Sequence, residues 1–206
     1  MLTSLTSVTR RRVLGLATAA AMSLGLGVTG SARADQASDF VSSFGGKLVA
    51  IVNSSASLDK KKQEVLPLLQ ENLDAAAIGK FCLGRYWRTA SPEQQQRYLT
   101  LFDHVLVNAI TDKIGDYQGV SFRVTGTSQA PTGELVSAQI SRPGQPTADM
   151  QLLVVQSNGP KVVDMIGEGA SLRLTQRQDY SSYLARNGGN VDTLNNALQR
   201  QLDHHH

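Results

Sequence analysis

An α+β domain, helices followed by a curled antiparallel sheet, is the fold this 206-residue chain predicts, and three observations predict it. Apolar residues recur at three- and four-residue steps from Asp39 to about Asp116. From Val120 to Leu174 the period shifts towards two, with turn signals between the runs, and from Gln178 to Leu202 the helical spacing returns.

The elements can be justified in order. Arg10, Arg11 and Arg12 form a charged run, Val13 to Val28 is apolar and small, and Ala32-Arg33-Ala34 is an A-x-A cleavage site. Residues 1–34 therefore read as a cleaved export signal, with Asp35 as the mature start. Thr9-Arg10-Arg11-Arg12-Val13-Leu14 fits a twin-arginine signal. Residues 35–202 then form one domain, and residues 203–206, Asp203-His204-His205-His206, read as a tag remnant or disordered tail.

In that domain Phe40, Val41, Phe44, Leu48, Val49 and Val52 line one face of a first helix, closed by the Ser-rich turn Asn53 to Ser57. Lys60 to Gln70, despite Pro67, and Asn72 to Leu83 continue as short helices, and Gly84 is where the second stops. Ser91, Pro92 and Gln94 make a helix start: a side-chain acceptor for a free N–H, a residue that needs none, and an amide able to reach back. Beyond it Tyr98, Leu99, Leu101, Phe102, Val105, Leu106, Ala109 and Ile110 define an apolar face.

Phe122 to Val124, Glu134 to Ser141, Met150 to Gln156 and Lys161 to Ile166 read as strands. Pro131-Thr132-Gly133, Arg142-Pro143-Gly144 and Ser157-Asn158-Gly159-Pro160 separate them, and such short links imply an antiparallel meander. The final helical stretch breaks at Asn187-Gly188-Gly189.

Charge and cysteine content narrow the function classes. The 20 basic and 17 acidic residues suggest a basic protein, but the first 34 residues hold four of the arginines and no acid. Sixteen basic against seventeen acidic residues remain, a net charge of −1, and no basic cluster interleaved with aromatics supports nucleic-acid binding. Lys60-Lys61-Lys62, the one lysine run, reads as a solvated helix start. The single cysteine, Cys82, excludes an intramolecular disulfide and sits among Ile78, Phe81 and Leu83 as a buried thiol.

The string Leu83-Gly84-Arg85-Tyr86-Trp87-Arg88, then Ala90-Ser91-Pro92-Glu93-Gln94 and Leu101-Phe102, resembles the signature of MlaC-type periplasmic lipid-binding proteins, the toluene-tolerance auxiliary family. Lys161-Val162-Val163-Asp164-Met165 followed by Glu168-Gly169-Ala170-Ser171-Leu172 is similar to that family's late strand and turn, and Arg177 with Tyr180 falls where its Tyr-Arg-x-x-Phe segment lies. Gln176 and Gly167 depart from the pattern.

The resemblance implies an NTF2-like cone, helices closing one side of a concave sheet, and a non-catalytic, monomeric periplasmic carrier of phospholipid. Its partners would be an inner-membrane ABC transporter with an MCE-type component and an outer-membrane lipoprotein complex, and its role the upkeep of outer-membrane lipid asymmetry. The hopanoid-associated branch of the family, carrying a rigid polycyclic lipid, is the first alternative, and an enzyme on an NTF2-like fold the second.

A lipid carrier must shield acyl chains from water, each buried CH₂ contributing about 0.8 kcal/mol. Tyr98, Phe102, Val105 and Leu106 from the helix and Phe122, Val124, Leu152, Val154, Val163 and Met165 from the strands are the candidate walls. Periodicity alone favours a filled core; the resemblance reverses that and selects the lipid site. Arg85, Tyr86, Trp87 and Arg88 are candidates for holding a phosphate headgroup or for a structural role, Arg85 pairing with Asp164 or Glu168. Catalysis has little to work with: Asp103 and His104 point about 100° apart on a helix, and no nucleophile elbow, P-loop or metal-ligand spacing is present.

Overall fold

Local chemistry sets most of the element boundaries in the computed structural model, which describes residues 28–205. The arginine run and nearly all of the apolar stretch of the expected export signal lie outside those residues. The helices are α1 (Val28–Asn53), α2 (Leu58–Asn72), α3 (Ala75–Leu83), α4 (Pro92–Thr111), α5 (Leu172–Arg186) and α6 (Val191–Asp203), with one-turn 3₁₀ segments at Gly84–Arg88 and Ile114–Tyr117.

Helix α4 begins with a complete capping box. Ser91 Oγ accepts from the Gln94 N–H at 3.2 Å, Gln94 Oε1 accepts from the Ser91 N–H at 3.0 Å, and Pro92 fills the first helical position. Asp74 caps α3 through the Ala77 N–H at 2.8 Å. Gly84 ends that helix at φ +59°, a conformation open to glycine and costly to side chains.

Strands β1 (Ser121–Ala130), β2 (Gly133–Ser141), β3 (Ala148–Ser157), β4 (Gly159–Gly167) and β5 (Ala170–Ser171) form one antiparallel sheet in sequence order. The three predicted turns fall between consecutive strands. Two irregularities bend the sheet: Thr125 is the extra residue of β1 opposite β2, and Val163 the extra residue of β4 opposite β3.

Both faces of the sheet's centre are covered, because consecutive side chains of a strand point to opposite sides. Leu152 and Val154 join Val136, Ala138 and Val162 in a core under α1 and α2, with Val41, Phe44, Val65 and Leu69. Leu153 and Val163 join a second core built by α3, α4, α5 and α6, with Cys82, Leu83, Tyr98, Phe102, Tyr180, Leu184 and Leu198. That two-sided cover is why three residues in a row are buried in each of β3 and β4.

Side chains tie the layers together. Lys61, 3% exposed, donates from Nζ to the Val52 carbonyl at 2.7 Å and so caps the end of α1. Lys161 Nζ donates to the Glu71 carbonyl at the end of α2. Beside it, the Asp74 N–H bonds the Val162 carbonyl at 3.1 Å, and Leu73 forms a parallel bridge with Val162, partly covering the β4 edge.

Several expectations need correction. β1 extends to Ala130, well beyond Val124, and α5 begins at Leu172, where Leu172 to Leu174 had read as alternation. Ser171 is its cap, accepting from the Leu174 N–H at 3.1 Å. The lysine run is not a solvated stretch: Lys61 is buried and Lys62 pairs with Asp112 at 3.1 Å. At the C-terminus α6 runs to Asp203, and His205 reaches Asp112.

Candidate functional site

Helix α4 lies so close to α3 that a Cβ on Gly79 would sit 3.0 Å from the Phe102 ring. That approach seats Tyr98, whose hydroxyl donates to the Gly79 carbonyl at 3.0 Å. Its ring lies 5.7 Å from Phe102 and 6.2 Å from Tyr180, the latter edge to face. Burial pushes the Tyr98 and Tyr180 hydroxyls above their ordinary pKa, so both stay neutral, and Tyr98 acts as a donor.

Nine of the ten candidate wall residues divide between the two cores. Tyr98, Phe102 and Val163 are buried in the α3–α6 core, with Val105 and Leu106 packed at its margin. Leu152 and Val154 are buried in the α1–α2 core, with Phe122 and Val124 packed against it. Phe122 presses on α1 so tightly that a Cβ on Gly45 would fall 2.3 Å from its ring. Met165 belongs to neither core and is 40% exposed.

Between α2 and α4 runs a groove of two adjoining depressions, of about 420 and 380 Å³. They share Gln70, Asp103 and Val107. The smaller reaches Leu69 and Leu73 on the α1–α2 side and Leu106 on the α3–α6 side, with Lys161 and Asp74 at its rim. It thus opens where the two cores meet. Sequence reasoning missed this groove apart from Leu106. Leu66, Leu69 and Leu73 recur at three- and four-residue spacing, a signal present in the sequence, but only the packing of α2 beside α4 makes them a wall.

The Arg85 to Arg88 turn is built around Tyr86, which is buried. The Arg85 guanidinium stacks over the Tyr86 ring at 4.9 Å and donates to its hydroxyl at 2.9 Å. Trp87 packs against the α3–α6 core, and Gln95 Nε2 donates to its carbonyl at 2.8 Å. The expected pairing of Arg85 with Asp164 or Glu168 is not formed. Asp164, 7% exposed, is taken by α5: it accepts from Ser171 Oγ at 2.6 Å and the Arg173 N–H at 3.2 Å, and lies 3.4 Å from Arg173 Nε. Arg173, two residues after the Ser171 cap of α5, reaches the carboxylate by local geometry, which Arg85 on another element does not.

Cys82 is fully buried, and burial pushes its pKa up to about 12, which keeps it a thiol rather than a nucleophilic thiolate. Among the described residues no group of three His, Cys, Asp or Glu side chains is placed to hold a metal ion, and no helix is long and apolar enough to cross a membrane.

Helices closing over a concave antiparallel sheet, with an apolar interior and a groove between its halves, define an α+β domain of the NTF2-like class. The family model of the MlaC protein matches residues 42–200, and the chain belongs to that family. Among solved structures it is similar to a phospholipid-binding protein from Ralstonia solanacearum determined in complex with a phospholipid. The two superpose with a TM-score of 0.73 at 21% sequence identity, over 82% of this chain and 98% of that one. The superposition demonstrates a shared fold.

Proposed function

We propose that the protein is a periplasmic phospholipid carrier, exported by way of a signal over residues 1–34 that is removed before it acts. Membership of the MlaC family supports this reading, as does the fold shared with a protein crystallised around a phospholipid. The single observation that carries it within this chain is the groove whose walls belong to both cores, Leu69 and Leu73 on one side and Leu106 on the other. Acyl chains entering there are shielded by parting α2 from α4, a separation of two apolar surfaces without breaking the strand ladders. Tyr98, Phe102, Val105, Leu106 and Val163 then line one side of the ligand, and Phe122, Val124, Leu152 and Val154 the other, with the exposed Met165, paired with Leu152 across the strands, at its margin. At about 0.8 kcal/mol per buried CH₂, two acyl chains offset the cost of opening.

Tyr86 and Trp87 serve as the anchor of the turn between α3 and α4. The carrier works as a monomer and not as an enzyme, shuttling phospholipid between an outer-membrane lipoprotein complex and an inner-membrane ABC transporter with an MCE-type component, and thereby supports outer-membrane lipid asymmetry.

Native mass spectrometry with lipid extraction, on protein purified without detergent, tests the reading. A stoichiometric diacyl phospholipid is the expected result. A hopanoid would move the protein to the hopanoid-associated branch, and absence of lipid together with no uptake from labelled vesicles would overturn the carrier assignment.

A further inference from the structure

The chain from Asp35 onwards carries a small net negative charge, yet one face gathers cations that have no carboxylate partner. Among the described residues Lys80, Arg85, Arg88 and Arg177 make no ion pair, whereas Arg173 is neutralised by Asp164. Packing of α5 against α3 brings them together. Arg173 and Arg177 both stack on the Phe81 ring, at 4.3 and 5.0 Å, and Arg177 passes so close to Gly84 that a Cβ there would lie 3.0 Å from its Nε. Arg85 follows directly, its guanidinium held by Tyr86. The Arg85 and Arg177 guanidiniums are held by aromatic rings rather than by acids, so their charge stays available.

The first turn of α5 also leaves Leu172, 50% exposed, and Leu174, 45% exposed, in solvent on either side of Arg173. Large apolar side chains in water beside unpaired cations form the pattern of an interfacial binder: the cations meet lipid phosphates and the apolar tips enter the acyl boundary. An acidic protein surface would satisfy the arginines but gives the two leucines nothing to enter. From this complementarity we infer that the face formed by the end of α3, the Gly84–Arg88 turn and the start of α5 docks on an anionic lipid bilayer. The groove touches α3 only at Ala75 and Ala76, at the opposite end of that helix from this face, and docking by this face orients the molecule on the membrane without consuming the groove.

Flotation with vesicles tests this, using phosphatidylglycerol mixed with phosphatidylcholine against phosphatidylcholine alone, at low and high salt. Binding to the anionic vesicles only, lost at high salt, is expected, with each cation removed in Arg85→Gln and Arg177→Gln weakening partition about five-fold. Leu172→Ser with Leu174→Ser should weaken it about ten-fold more. Because Arg177 also packs on Phe81, Arg88→Gln, which changes an exposed side chain, keeps the test decisive if the Arg177 variant folds poorly. Equal binding to both vesicle types, or none to the anionic ones, overturns the inference. Dependence on the arginines without dependence on the leucines also overturns it and reassigns the face to an acidic protein partner. Co-purified lipid measured on the same samples separates docking from carrying: a variant that stops floating yet keeps its cargo leaves the carrier reading intact.

Discussion

Cys82 shows how far burial alone can silence a reactive side chain. Its pKa is raised from 9.0 to about 12, with desolvation the largest cause and Arg173 working against it. The unfolded thiol ionises from about pH 9 while the native one holds its proton to about pH 12, so between those values the native state binds more protons and loses stability as pH rises, by about 1.4 kcal/mol per pH unit. Tyr98 and Tyr180, also shifted upward by burial, add in the same direction at higher pH. Urea midpoints between pH 8 and 10.5 should fall, and fall less steeply in Cys82→Ala. In native protein at pH 8 the thiol should resist alkylation. Asp164 is a residue of the opposite kind, a buried charge with a full set of partners. Asp164→Ala strands Arg173 and uncaps α5, at a cost of about 3 kcal/mol or a fall of about 6–12 °C in Tm by calorimetry.

At the scale of the element, the most legible features were those encoded within four residues of one another. The Ser91 capping box, the Gly84 stop and the turn signals between strands depend only on local backbone chemistry, and each appears where the sequence places it. What was not legible depended on a partner remote in sequence. Lys61 looked like one lysine among three, and only the return of α2 beneath α1 gives its ammonium the Val52 carbonyl. Lys61→Met keeps the stem and removes the donor, so the buried carbonyl is left unpaired. A loss of about 1–3 kcal/mol is expected, read as a lower urea midpoint at unchanged m-value. The start of α5 was hidden for a related reason: Leu172 and Leu174 stay exposed and give no helical stripe, so only Ser171 marks the boundary.

The whole molecule is a sheet with a core on each side, and this arrangement limited how well the candidate site could be read. Strand alternation distinguishes the two faces of a strand but does not say that both are covered, so residues for one imagined cavity came from two cores. The extra residue Val163 adds to the difficulty, because it resets the parity that otherwise places Val163 and Met165 together. Neighbouring substitutions should therefore act on different halves. Leu152→Ala and Leu153→Ala should each cost about 2–5 kcal/mol, and amide hydrogen exchange should rise mainly in α1 and α2 for the first and in α3 to α6 for the second. A uniform rise in both variants would show that the cores open as one unit.

The position of α1 against β1 and β2 has a consequence for synthesis. The first helix to emerge packs on strands made some seventy residues later, through Phe44 in the core and Gly45 against Phe122. Until that hairpin exists its apolar stripe has no permanent cover, and contacts this distant in sequence close slowly. The nascent chain thus carries an unfinished amphipathic helix through most of its elongation, a window in which a holding chaperone has something to bind and after which it has nothing.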